Sequence, residues 1–245
     1  MKGMTLSPAD GFYQVLIKML RAKYILVFVL AGWFFARCTE TAEWDVDSVG
    51  WNYYPIEVGS SRVYEVKGVR YINYLDSTEF EYLLKETVVD SFQNLENGIS
   101  FTLLREKMYD DSGVWETDSI WSIRKDELRA ILVENNVPTI QLTFPLEESK
   151  VWNSNALNDH DTDEFEMIDI GSTYTGAGKN YSNTVTVIQE DLPEYNIRYI
   201  SKKEVFAADK GLVYKENVDL VYKQGDFYGK QVVESGIKYY QYLVE

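Results

Sequence analysis

After Trp51, apolar and polar residues alternate with a period of two over most of the chain, a pattern that suits half-buried strands and defeats helices. In Thr139–Phe144, Ile140, Leu142 and Phe144 fall on one side and Thr139, Gln141 and Thr143 on the other. Val63–Val69 sets Tyr64 and Val66 against Glu65 and Lys67. Ile99, Phe101 and Leu103 share a face, as do Val218, Leu220 and Tyr222. Further strands are expected over 85–92, 114–124, 127–133, 165–170, 184–189, 198–206, 211–216 and 230–244, runs rich in β-branched and aromatic residues. Turn-forming stretches separate them, among them Asn94–Gly98, Asp110–Gly113, Asn135–Pro138, Asp209–Gly211 and Gln224–Asp226. The expected fold is all-β and mainly antiparallel: one meander, curled or barrel-like so that its edges are protected. Lys125–Val133 and Leu146–Trp152 are the only stretches that also read as short helices.

Ahead of this pattern lies a different segment. Arg21 and Lys23 precede Tyr24–Ala36, an uncharged apolar run that ends near Cys38, the sole cysteine. The run fits the core of a signal peptide and is short for a membrane-spanning helix of about 20 residues. Met19 reads as the true first residue, since a leader starting there is already complete. Three fates are open to the leader: cleavage before a lipidated Cys38, cleavage after Cys38 by a signal peptidase favouring small residues, or retention as an anchor helix. Arg37, just before the cysteine, departs from the small residue that lipidation sites prefer. One cysteine allows no internal disulfide. The expected organisation is a leader over 1–38, an acidic tether over 39–50, and a β domain over 51–245.

The whole chain carries a net charge of −15. Lys2, Lys18, Arg21, Lys23 and Arg37 against Asp10 make the leader basic, so residues 39–245 carry −19. Such a charge repels phosphate backbones, and no nucleic-acid partner is expected. A hydrophobic content of 45% with 15% aromatics marks a folded domain rather than a disordered acidic chain.

Tyr53-Tyr54-Pro55-Ile56-Glu57-Val58-Gly59, followed by Val63-Tyr64-Glu65-Val66, resembles the opening of uncharacterised β-rich lipoproteins of the Bacteroidota. Asn183–Val187 and Glu204–Glu216 resemble later segments of the same group, the second read as a hairpin turning at Gly211. The acidic residues after Cys38 resemble the surface-export signals of such lipoproteins. The resemblance spans most of residues 53–216 and implies an exported lipoprotein. It implies no activity and transfers no catalytic residue.

Candidate chemistry is sparse. His160 is the only histidine, which excludes zinc sites built on two or three histidines, and no G-x-S-x-G elbow accompanies it. Asp159, Asp161 and Asp163, with Glu166 beyond them, space carboxylates as a calcium loop does, and a solvated acidic loop has the same composition. As an EF-hand the loop fails, with Glu164 at the glycine position and Ile170 at the bidentate glutamate position. Aromatic clusters at Trp51, Tyr53 and Tyr54, at Trp115 and Trp121, and at Tyr239, Tyr240 and Tyr242 serve either a core or a binding surface. The expectation is a non-catalytic envelope lipoprotein, membrane-held through Cys38, that binds or scaffolds. Its partner would be a glycan, a protein or, in a lipocalin-like carrier, an apolar small molecule. A hydrolase using an Asp/Glu pair is the remaining alternative, and no cofactor beyond calcium is expected.

Overall fold

The computed structural model describes residues 49–245, apart from 96, 110–112 and 193–195. Cys38 and the leader lie outside the described residues, as does most of the tether. The alternating segments form twelve strands: β1 (Ser61–Asn73), β2 (Asp76–Gln93), β3 (Ile99–Met108), β4 (Glu116–Lys125), β5 (Arg129–Glu134) and β6 (Val137–Thr143), then β7 (Lys150–Asn153), β8 (Glu164–Gly176), β9 (Lys179–Leu192), β10 (Arg198–Ala207), β11 (Gly211–Tyr222) and β12 (Val233–Leu243). All belong to one antiparallel sheet ordered β6-β5-β4-β3-β2-β1-β12-β11-β10-β9-β8-β7. Every strand therefore lies beside its chain neighbour except at one step, where β1 pairs with β12 and Tyr64 sits opposite Leu243.

The two edges of this sheet, β6 and β7, are consecutive in the chain and nearly meet. The Ile140 amide donates to the Ser154 carbonyl at 2.9 Å, and Trp152 Nε1 donates to the Ile140 carbonyl at 3.0 Å. Asn158 Nδ2 donates to the Pro138 carbonyl at 2.8 Å across the same seam. The result is a nearly closed barrel, which leaves little unpaired backbone for another chain to extend.

Turn chemistry sets the register. Asn135 and Asn136, between β5 and β6, both have positive φ (50° and 64°), as a tight two-residue hairpin requires. Asp209 and Gly211 also have positive φ (63° and 80°) at the longer connection between β10 and β11, so the turn expected at Gly211 is present.

The expected helices are absent. Leu146–Trp152 instead leads into strand β7, because Trp152 packs edge-on against Phe165 of β8 and hydrogen-bonds across the seam. Lys125–Val133 is split between the end of β4, a turn capped by Asp126, and β5; Asp126 accepts from the amides of Leu128 and Arg129. Val49, assigned to the tether, is buried beside Ala130, Leu142 and Phe144.

Among the described residues the core falls into three clusters, and the largest lies between strands β5–β10. There Ile131, Ile140, Leu142, Phe144, Met167, Val185 and Val187 are buried together. Each such side chain contributes about 1.5–3 kcal/mol through its removal from water. A 3-10 turn, Trp51–Tyr53, with Tyr54 behind it, packs into this cluster as a plug.

Candidate functional site

Inside the barrel is a cavity of about 350 Å³, lined by side chains from β1–β6, β10–β12 and the Tyr54–Pro55 segment. Its walls follow from register. Arg62 of β1 is opposite Glu86 of β2, and Glu86 is opposite Arg105 of β3. On the other wall Glu204 of β10 is opposite Lys215 of β11, and Lys215 is opposite Gln241 of β12. Two charged rows thus run across the strands on their inward side.

Each row is held by direct bonds. Arg105 Nε donates to Glu86 Oε1 at 2.9 Å, and its guanidinium carbon lies 3.6 Å from the centre of the Trp121 ring. Lys107 Nζ is 2.6 Å from Asp118 Oδ1 and sits 4.9 Å over the Tyr82 ring. Lys215 Nζ donates to Glu204 Oε1 at 2.7 Å. Burial disfavours the Lys215 ammonium, but the charge and hydrogen bond of Glu204 outweigh it and raise its pKa. Its side chain stays 34% accessible while that of Glu204 is 3% accessible.

Two polar atoms in this lining have no hydrogen-bond partner: the hydroxyl of Tyr64, a residue with 0% exposure, and Oδ1 of Asn217. A buried polar atom left unpaired costs about 1–3 kcal/mol, so two of them in residues that line one cavity make it the candidate binding site. Burial, then the charge of Glu86, raises the Tyr64 pKa well above the usual phenol range, so its proton stays available for donation.

Cations secure the plug. Lys125 Nζ donates to the carbonyls of Trp51 at 2.8 Å and Tyr54 at 3.0 Å, and burial lowers its pKa. Arg62 donates from Nη2 to the Pro55 carbonyl and from Nε to the Lys210 carbonyl, each at 2.8 Å. The outward side of the same strands carries Glu65 beside Lys67 and an ion pair of Lys85 with Glu106, a wall suited to water rather than hydrocarbon.

The acidic loop is arranged differently. Asp163 accepts from Ser154 Oγ, Asp161 uses its backbone carbonyl to receive Asn155 Nδ2, and Glu166 stands in β8 opposite Val151. Among the described residues no group of three or more acidic, histidine or cysteine side chains is placed to hold a metal ion, so Asp159, Asp161, Asp163 and Glu166 are not brought together as a ligand set. His160 is exposed, its amide donating to Asn158 Oδ1.

The aromatic clusters divide. Trp51, Tyr53 and Tyr54 build the plug, Trp121 and Tyr239 line the cavity, and Trp115 lies outside under Lys85 at 4.4 Å. Tyr239 and Tyr240 point to opposite faces and both are half-buried. The charged lining escaped notice in the sequence, yet it leaves a trace there. Glu86 is in phase with the buried Leu84 and Val88, and Arg105 with the buried Leu103. A charge on the apolar face of a strand is the signal.

No family model matches the chain, and no curated protein matches it. Among solved structures it is similar to a candidate exported protein with a YmcC-like fold from Bacteroides fragilis, at 12% identity over 78% of this chain and 96% of that one, with a TM-score of 0.40.

Proposed function

We propose that this chain is a non-catalytic binding protein of the cell envelope, lipid-anchored through Cys38, whose ligand occupies the barrel cavity. The observation that carries the reading is the unpartnered Tyr64 hydroxyl, a fully buried polar atom in a residue of the cavity lining. The leader ending at Cys38 supports export and anchoring.

The ligand is polar. A fatty chain would strip the remaining water from Lys107 and Lys215, charged groups of the cavity lining whose side chains are partly open. Dehydrating such ions costs several kilocalories per mole each, which weighs against the lipocalin-like alternative. A cavity of this size lies near the lower end of the roughly 300–1,000 Å³ of small-molecule sites.

Native mass spectrometry of the exported protein tests the reading. A defined extra mass, lost on denaturation and lost in a Tyr64→Phe/Asn217→Leu variant, is expected. A bare polypeptide mass under all conditions would count against an enclosed site. Labelled palmitate should enter the wild type and not a Cys38→Ala variant; equal labelling would remove the anchor.

A further inference from the structure

Resting on the cavity as the binding site, we propose that its ligand is a neutral saccharide, held through hydroxyl groups by Tyr64, Asn217 and the flanking ion pairs. Three properties of the cavity lead there.

First, the site is electrically balanced. Arg62, Arg105, Lys107 and Lys215 are matched by Glu86, Asp118, Glu134 and Glu204, all in the lining except Asp118, which pairs with Lys107. An anionic ligand would compete with Glu86 for Arg105 and with Glu204 for Lys215, and a cationic one would compete with those bases. A neutral ligand leaves every pair intact.

Second, the orphaned atoms are of two kinds. Asn217 Oδ1 only accepts a hydrogen bond, whereas the Tyr64 hydroxyl can donate. An alcohol both donates and accepts, so one ligand chemistry satisfies both. The spare N–H groups of Lys215, whose side chain is partly open, add further donors along the wall.

Third, aromatic rings stand among these polar groups. Trp121, Tyr82 and Tyr239 belong to the same lining, with Arg105 over one face of Trp121 and Lys107 over one face of Tyr82. A pyranose has hydroxyls around its rim and an apolar C–H face, which is the counterpart of a wall mixing rings with hydrogen-bonding groups.

The test uses the full chain, with tryptophan fluorescence and native mass spectrometry as readouts. The probes are glucose, galactose, mannose, N-acetylglucosamine and a mixture of their short neutral oligosaccharides, set against glucuronate, inorganic phosphate and palmitate. Saturable binding of a neutral sugar is expected, weakened about tenfold by Tyr64→Phe, equivalent to about 1.4 kcal/mol. The same variant should melt no lower than the wild type without sugar, because it deletes a buried hydroxyl that has no partner. A merely structural role for Tyr64 would instead lower both. Asn217→Leu should also abolish sugar binding.

Binding of glucuronate, phosphate or palmitate in place of neutral sugars, sensitive to these variants, would overturn the saccharide and leave the cavity as the site. Sugar binding indifferent to both variants would overturn the placement. No binding of any probe, with no co-purifying mass, would overturn the saccharide and the cavity reading together.

Discussion

Glu204 and Lys215 stand opposite each other in the β10–β11 ladder and join across it at 2.7 Å, the acid almost fully buried and the base open to the cavity. Removing the base alone strands a buried carboxylate. Lys215→Met is therefore expected to cost on the order of 3 kcal/mol, and a Glu204→Met/Lys215→Met double variant to recover most of it. Urea unfolding of the three proteins measures both.

Gly68 is the point at which β1 has no room for a side chain. A Cβ there would come 2.0 Å from the Lys238 carbonyl oxygen of β12 and 2.6 Å from the Phe80 ring. Gly68→Ala should destabilise by on the order of 2–4 kcal/mol, since backbone must move. Thermal melting would show it as a drop of several degrees.

The plug depends on Lys125. Replacing it with Met deletes two hydrogen bonds from a charged donor, each worth about 1.5–3 kcal/mol. The expected outcome is local: chymotrypsin should cut at Trp51, Tyr53 or Tyr54 much faster than in the wild type, while far-ultraviolet circular dichroism stays that of a β protein.

Acid sensitivity should trace in part to Asp118. Burial alone would raise its pKa, but the Lys107 ammonium, the Ser119 hydroxyl and Arg105 bring it below the usual carboxylate range. The folded state thus takes up this proton less readily than the unfolded chain. The stability involved is complete above the unfolded value of about 4 and disappears as pH falls through the lower folded value. An Asp118→Asn variant should show a smaller loss of melting temperature than the wild type between pH 5 and the acid limit of folding.

Millimolar calcium is expected to leave the melting temperature unchanged, because the carboxylates of Asp159, Asp161, Asp163 and Glu166 do not converge. A rise that Asp161→Ala abolishes would show that they gather around the ion.

Period-two alternation made most strands legible, and the turn at Gly211 could be read from composition alone. The outer half of the β1–β2 hairpin and the tip of β8–β9 could not. Asp76–Glu81 and Ser172–Asn183 carry few apolar residues, and these segments are held by backbone pairing with their neighbours. Strand β7 was hidden for another reason: Trp152 commits to it through Ile140 and Phe165, contacts that no local pattern displays. The cavity was illegible because Val218, Leu220 and Tyr222 drew attention to one face of β11. Lys215 and Asn217, on the other face, line the cavity instead.

The pairing of β1 with β12 bears on how the molecule comes into being. Synthesis supplies β1 first among the strands and β12 last, so one side of β1 has no native neighbour until nearly the whole domain is available. Closure of a contact as distant as Tyr64 with Leu243 is slow, and the open side is exposed to aggregation in the interval. A permuted chain, joined between β12 and β1 and opened in the β6–β7 connection, would place every strand beside its sequence neighbour and should reach the native state sooner.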